Sequence, residues 1–443
     1  MTNFTAIHHV CNAGENKTLK RILSQGENIS LATEFFEKGM PYRMYVRESR
    51  RMKGQYIFTE KDSTPYDLYN ARKNKAKGFS ALDLRDKPYK RVTNEKMNAS
   101  IGYTSYPMDS HAVSSYDNYD YYRDEENDFN YYHKGEGEFY LQNLTATGVI
   151  PLGVIVPKEV NNLLVTSAVS ASHVGYGTLR MEPVRMNLGQ VAGIVSSFYI
   201  NNKLKSNAEI LEEKLIWSIQ SKLINIGKLR LYYFSDFPKG DRYDYWWAAE
   251  AVEKLAVRGL LSVQPLYDSY EFRPNDDMSR GDFIVMLMKA RRFLEAQGVK
   301  LNNDACDKEE RQAMPFSDVS ADDARTEYIE EARSKCFVSG YKEDGKLTGL
   351  FKPDVFVNRA EATKVLLLSF GYSIDPDYDG VFPDVLENEW FSRYVETAHV
   401  NGLVTGYEKG EFAGLFKPAK TIKRAEAALI LYRAINNNYP LFK

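Results

Sequence analysis

Cysteine is nearly absent. Cys11, Cys306 and Cys336 are the only three in 443 residues, too few for a disulfide framework and without metal-ligand spacing. Cys336 lies in an apolar pattern and reads as a small buried hydrophobe. His8, His9 and Cys11 crowd one end and read as incidental, so no metal site is expected. Excess charge of one sign is also missing: 58 Lys plus Arg face 60 Asp plus Glu, a net of −2. That excludes the strongly basic footprint of a nucleic-acid binder. No window reaches about 18 consecutive apolar residues, which excludes a helical membrane span. Met1–Thr18 lacks a basic patch followed by an apolar stretch, so no signal peptide is visible. Nowhere does G-x-G-x-x-G occur, the turn that lets a pyrophosphate approach a helix N-terminus. What is present is 43% apolar residues and 31 Tyr in a chain long enough for two or three domains.

The first half is locally uneven. Residues 42–96 carry a net of +8 around Arg43-Met-Tyr45-Val-Arg47-Glu48-Ser-Arg50-Arg51, which suggests a strand entering a charged turn: a solvated basic face, or a surface for an anion or cofactor. Residues 116–132 hold six Tyr and six acids; their Asp and Asn content disfavours helix or central strand and reads as a surface loop. Residues 139–165 are β-branched runs broken by Gly148, Pro151, Gly153 and Pro157, read as short strands with tight turns. Gly189-Gln190 is expected to open a helix through Ile200, with Ala192, Gly193 and Ser196 permitting close approach to a sheet or flat ligand.

Several stretches carry a resemblance. They are Gly39-Met-Pro-Tyr-Arg43 to Arg51, Tyr106-Pro-Met-Asp109-Ser-His111, Gly153-Val-Ile-Val-Pro157, Asn162 to His173, and Tyr176-Gly-Thr-Leu-Arg180-Met-Glu182-Pro-Val-Arg185 to Gln190. Together they resemble the C-terminal part of the FAD-dependent oxidoreductase family often labelled xanthan-lyase-like. The resemblance implies an α+β region and implies FAD, with Ser172, Arg180, Gly189 and Gln190 as cofactor-binding residues. Asp109, His111 and His173 are the catalytic candidates, and Arg185 with Arg180 can hold carboxylates or phosphate. Structural alternatives stand beside these roles: an Arg–Glu182 ion pair, a hydrogen-bonded core His, a helix cap. The Gly-rich nucleotide-binding half is missing, so no cofactor is expected on this chain itself. Truncation is the preferred expectation, because it accounts at once for the missing turn and the missing export signal.

The second half repeats. Phe234-Ser-Asp236, Phe316-Ser-Asp318 and Phe382-Pro-Asp384 each begin a unit, and each unit later carries Phe-(Arg/Lys)-Pro followed by Arg-x-acid. The pairs are Phe272 with Arg280-Gly-Asp282, Phe351 with Arg359-Ala-Glu361, and Phe416 with Arg424-Ala-Glu426. Ala248, Val252, Leu255 and Ala256 recur at helical spacing in the first unit, as do Ala425, Ala428, Leu429 and Tyr432 in the third. Such helix–loop–helix units cannot bury their apolar faces alone and should pack into a pseudo-threefold all-α body. Ser279 and Asn358 suit N-caps; Lys423 does not.

These landmarks, with Trp247, Trp390, Gly340-Tyr341 and Gly406-Tyr407, resemble an S-layer homology (SLH) module. The resemblance implies non-covalent anchoring to a secondary cell-wall polysaccharide or peptidoglycan-linked glycan, an anionic and often pyruvylated polymer. Arg280, Arg359 and Arg424 would lie in grooves between repeats, where a guanidinium can hold a carboxylate in a bidentate pair and Trp can stack on sugar. The alternative for these Arg residues is an ion pair at the helix start with Asp282, Glu361 and Glu426. Val263 stands where the third unit has Gly406, and Gly281 and Ala324 also depart from the pattern. The groove around Arg424 is therefore expected to be the most intact and that of Arg280 the least. The expected layout is residues 1–205 flavoprotein-like, 206–232 linker or helix, and repeats at 233–295, 315–371 and 381–437. The leading reading is a cell-surface anchor; the alternatives are a wall-tethered FAD oxidoreductase and a helical module for protein contacts in a lattice.

Overall fold

The computed structural model describes residues 50–64, 99–110, 119–122, 130–133, 139–141, 145–237, 247–265, 269–301, 315–344, 346–374 and 379–438. Arg43, Tyr45, Arg47 and His111 lie outside the described residues.

The N-terminal region mixes short strands with helices. Strand β1 (Ser100–Thr104) pairs antiparallel with a later strand, Gly148–Pro151, and Tyr103 faces Val149 across the ladder. Between them in sequence come β2 (Asp109–Ser110), β3 (Tyr119–Tyr122), β4 (Asn130–His133) and β5 (Phe139–Tyr140); Gly148–Pro151 is β6. β2 pairs with β5, and β3 with β4. The tyrosine-rich segment expected as a loop thus contains a hairpin, Tyr119 opposite His133 and Tyr121 opposite Tyr131. Tyrosine favours extended backbone, and a two-stranded hairpin needs no continuous apolar face.

Helix α1 (His173–Leu179) is capped by Ser172, whose side chain accepts from Gly175 N at 3.0 Å. Helix α2 runs from Glu182 to Asn201, with proline in its first turn. It buries Val184, Leu188, Val191 and Val195, spaced at i, i+4, i+7 and i+11. The expectation that Gly189-Gln190 opens this helix is overturned: the stop-start signal at Gly189 is weak against the earlier Pro183, and Gly189 falls mid-helix. A Cβ at Gly189 or Gly193 would meet nothing within 4 Å, so neither marks a close approach.

Helix α3 (Glu213–Asn225) joins the two halves. Its Ile216, Ile219, Leu223 and Ile224 belong to one hydrophobic core that runs from Phe58 to Ile435. Toward the N-terminal region Gln220 Nε2 donates to Ser100 O at 2.9 Å. Toward the repeats Trp217 packs on Phe293 at 4.8 Å between ring centroids, and Arg258 Nη2 donates to Trp217 O and Ser221 Oγ.

The C-terminal region is helical. Its three units pair α4 (Ala249–Ala256) with α5 (Arg280–Ala296), α6 (Thr326–Ser334) with α7 (Arg359–Phe370), and α8 (Ser392–Val400) with α9 (Arg424–Asn438). Two small hairpins interrupt it: β7–β8 (Gln264–Pro265 with Tyr270–Glu271) and β9–β10 (Lys342–Glu343 with Lys346–Leu347). Helix α9 buries Ala425 and Ala428 as its pattern suggested, but also Ala427, Ile430, Leu431, Ala434 and Ile435, while Leu429 and Tyr432 of the same pattern are only half-buried: the core meets a face rotated from the expected one.

The pseudo-threefold relation is written in the backbone. Met278 N donates to Ile422 O, Ile422 N to Val357 O, and Val357 N to Met278 O, each at 3.0 Å. These three residues, one from each unit, are buried where the units meet. No unit can close this ring alone. Cys336 departs from its siblings: it adopts φ +57 where the other units place Gly259 and Gly402 at φ +68. It is buried, as its apolar pattern suggested, and is disulfide-bonded. Cys11 and Cys306 lie outside the described residues.

Candidate functional site

Each repeat begins with a loop fastened by its Phe-x-Asp aspartate. Asp318 Oδ1 accepts from Phe351 N at 2.8 Å and Oδ2 from Lys352 N at 2.7 Å. Asp384 does the same for Phe416 and Lys417, and Asp236 Oδ2 accepts from Phe272 N and Arg273 N. Two successive amides can converge on one carboxylate because Arg273, Lys352 and Lys417 all take positive φ, near +56 to +60.

The repeat arginines reach forward across the joint. Arg280 Nε donates to Phe351 O at 3.0 Å and its Nη1 to Glu361 Oε2 at 3.0 Å. Its guanidinium lies 4.7 Å from the Tyr341 ring centre and 5.1 Å from that of Phe351. Arg359 repeats this arrangement one unit on, with Phe416 O at 2.8 Å, Glu426 Oε1 at 3.1 Å, and Tyr407 and Phe416 each at 4.9 Å. Arg424 closes the circle on the first unit through Phe272 O at 2.9 Å and Ser262 O at 2.8 Å. The alternative of ion pairs with the acid two residues on in the same helix takes another form. Residues i and i+2 do not face each other on a helix, so Arg280 pairs with Glu361 and Arg359 with Glu426, each from the following repeat.

This forward reach sets the first unit's departures beside a different arginine from the one expected. The departures at Val263 and Gly281 were assigned to the groove of Arg280, but the first unit's turn faces Arg424. Gln264 holds the sequence place of Tyr341 and Tyr407, and the shorter Asp282 that of Glu361 and Glu426. The grooves of Arg280 and Arg359 therefore keep the tyrosine and the carboxylate. Burial pushes the Arg424 guanidinium below its ordinary range, and Arg273 adds to this; Asp282, Asp276 and Asp236 pull the other way. Gly281 has its own local cause: a Cβ there would meet Arg325 Nη1 at 3.0 Å and Pro353 O at 3.1 Å.

Among the described residues, the second terminal nitrogen of Arg280 and of Arg359 meets no protein acceptor; both side chains donate through Nε and Nη1. Further cations share the rings. Lys352 Nζ is 4.3 Å from the Tyr341 ring centre, Lys420 Nζ 4.6 Å from that of Tyr407, and Lys417 Nζ 4.6 Å from that of Phe412. Sequence reasoning missed these lysines, since single lysines in loops carry no pattern. Trp390 is exposed at 54% beside Lys364, 5.7 Å from its ring, and Trp247 is exposed at 56%. Gly340 and Gly406 serve packing: at positive φ, their missing Cβ would stand 2.8 Å from Phe316 and 2.7 Å from Phe382.

Of the N-terminal candidates, the structure brings Asp109 and Arg180 together, and His111 lies outside the described residues. Asp109 and Arg180 form a buried bidentate pair, with Arg180 Nη2 2.7 Å from both carboxylate oxygens. Ser172 caps α1, Gln190 Nε2 donates to Gly227 O at 3.1 Å, and Gly189 is mid-helix. Arg185 Nη2 donates to Tyr176 Oη at 2.9 Å, while His173 is exposed at the start of α1. Ser172, Arg180 and Gln190 are thus committed to separate structural contacts, and Gly189 lies mid-helix in open space, an arrangement that does not fit a flavin cradle. Among the described residues, no group of three or more His, Cys, Asp or Glu could hold a metal, and no helix is long and apolar enough to cross a membrane.

A ring of three helix–loop–helix units clasped by forward-reaching arginines defines a repeat module built on a mixed α/β region. Residues 14–222 match the family described as FAD dependent oxidoreductase, and residues 241–284, 315–363 and 381–428 match the S-layer homology domain. The chain is thus an FAD-dependent-oxidoreductase-like region fused to three S-layer homology repeats. Curated relatives include Cell surface glycoprotein 1 of Acetivibrio thermocellus, 26% identical over 41% of this chain and 7% of that protein. An uncharacterized cell wall amidase of Bacillus anthracis is 32% identical over 21% of this chain and 17% of its own length. An amylopullulanase of Thermoanaerobacterium thermosulfurigenes is 24% identical over 42% and 9%. The chain spans less than a fifth of each of these relatives.

Proposed function

We propose that the repeat module holds this chain non-covalently on an anionic bacterial cell-wall polysaccharide, a secondary polymer bearing ketal-linked pyruvate. The observation that carries this reading is the pair of grooves at Arg280 and Arg359. Each presents a guanidinium nitrogen without a protein acceptor among the described residues, beside a tyrosine ring and a second cation. A pyruvate carboxylate can accept from that nitrogen, and the aromatic ring offers an apolar face to the sugar. The names of the relatives, a cell surface glycoprotein and a cell wall amidase, support a surface location. Retention of the full chain on isolated wall polymer, before and after mild acid removal of pyruvate, tests the reading. Retention that is lost with the pyruvate is expected; equal retention on both polymers would refute it.

The family match over residues 14–222 supports a second reading, an FAD oxidoreductase held at the wall. A flavin absorbance spectrum of the purified chain separates the two. No stoichiometric flavin is expected, and a stoichiometric flavin signal would favour the enzyme.

A further inference from the structure

We infer that the residue four positions before each repeat arginine sorts the three grooves by charge, making the groove between the second and third repeats the principal anion site. This rests on the wall-anchoring reading and goes on to say which groove carries it. The residues concerned are Asp276, Val355 and Lys420. Their carbonyl oxygens each accept from the backbone N–H of the preceding arginine around the ring: Val355 from Arg280, Lys420 from Arg359, and Asp276 from Arg424, all at 2.9 Å. Each side chain is therefore tethered beside a different arginine.

The landmark charges of the repeat are matched from groove to groove. All three have the loop-fastening aspartate (Asp236, Asp318, Asp384) and a cation after the repeat phenylalanine (Arg273, Lys352, Lys417). All three have an acid two residues after an arginine (Asp282, Glu361, Glu426). Two further differences are internally paired, Asp354 with Arg325 and Asp277 with Lys423. At the fourth position before each arginine there remain one negative charge at the Arg424 groove, Asp276 at 3.7 Å from Arg273, none at the Arg280 groove and one positive charge at the Arg359 groove. In the last, Arg359 and Lys420 stand 4.9 Å and 4.6 Å from the centre of the same Tyr407 ring, and Lys420 is also 5.1 Å from that of Phe412. Tyr407 Oη donates to Glu426 Oε1 at 3.1 Å, which fixes the ring under both cations. Around Arg424, Asp276 and Asp282 offset the guanidinium, and no tyrosine stands at the place of Tyr407. The Arg280 groove has Lys352 but also Arg325 already paired with Asp323 and Asp354, so it ranks between the other two.

Lys420 and Asp276 are exposed, so their replacement tests charge without opening the core. Calorimetric titration of the full chain with a ketal-pyruvylated disaccharide glycoside, and with the same glycoside lacking pyruvate, reads the effect. Lys420→Glu should weaken binding of the pyruvylated glycoside by about tenfold, about 1.4 kcal/mol, with an unchanged urea midpoint. Asp276→Lys should add a binding site, seen as a rise in stoichiometry. Wild-type affinity in Lys420→Glu, or no gain in Asp276→Lys, overturns the ranking while leaving anchoring intact. Failure of the unsubstituted chain to prefer the pyruvylated glycoside removes the anchoring reading and the ranking with it.

Discussion

Replacing Arg359 with alanine should loosen the joint between the second and third repeats. Its side chain is buried, donating to Phe416 O at 2.8 Å and to Glu426 Oε1 at 3.1 Å, with two rings within 4.9 Å. Removing one partner of a buried ion pair costs about 3–5 kcal/mol when the other is left bare. Glu426 is not left bare, because Tyr407 Oη and Lys423 N still donate to it at 3.1 Å and 2.9 Å. The loss therefore falls to about 2–4 kcal/mol, most of it from the stranded Phe416 carbonyl and the lost ring contacts. For a body of this size that lowers Tm by about 4–16 °C. Arg359→Lys keeps the charge but not the planar fork and should recover less than half of the loss. Urea unfolding followed by circular dichroism measures both, and a cycle with Glu426→Gln should show a coupling of about 1 kcal/mol. A loss below about 1 kcal/mol in Arg359→Ala, with unchanged m-value, would refute the clasp.

Three further outcomes are expected. Asp109→Ala leaves the buried Arg180 guanidinium without its carboxylate and should destabilise the N-terminal region by about 3–5 kcal/mol, with Asp109→Ala/Arg180→Met partly restored; equal urea midpoints for wild type and the single variant would contradict this. Gly406→Ala must place a methyl 2.7 Å from Phe382 and 3.0 Å from Leu415 O at φ +68, whereas Gly402→Ala has the same φ and open space. Thermal melts should show Gly402→Ala losing about 1–2 kcal/mol and Gly406→Ala clearly more, and the reverse order would rule out the packing role. Acid should also weaken the fold. Hydrogen bonds from Thr421 and Lys423 hold Asp277 below its ordinary 3.8, and for Glu250 those from Lys254 and Tyr432 outweigh the upward push of burial, holding it below 4.5. Both folded values lie below the unfolded ones, so this stability is complete above the ordinary carboxylate range and is lost as pH falls through the folded values. Urea midpoints measured from neutral pH downward should fall there; a flat profile would contradict the assignment.

The repeats were legible because they are written in local spacing. Phe-x-Asp, Phe-x-Pro and Arg-x-acid recur at fixed offsets, and Ser279 and Asn358 cap their helices as expected, through Asp282 N at 3.1 Å and Glu361 N at 2.8 Å. The length of α2 was less legible. A glycine costs a helix interior only about 1 kcal/mol against alanine, too little to end it, and the anchoring Val184 and Leu188 gain their meaning only from the core beneath them.

By itself the sequence determined that three similar units follow a flavoprotein-like region, since each unit's helices, caps and turns depend on neighbours within a few residues. Tertiary structure alone decided which arginine meets which acid. Arg280 and Glu361 are 81 residues apart, and Arg424 and Phe272 are 152 apart. Such pairs exist only when the ring of units closes. Closure also moved the degenerate features of the first repeat to the groove of Arg424, and it set Lys420 beside Arg359, giving that groove its positive charge.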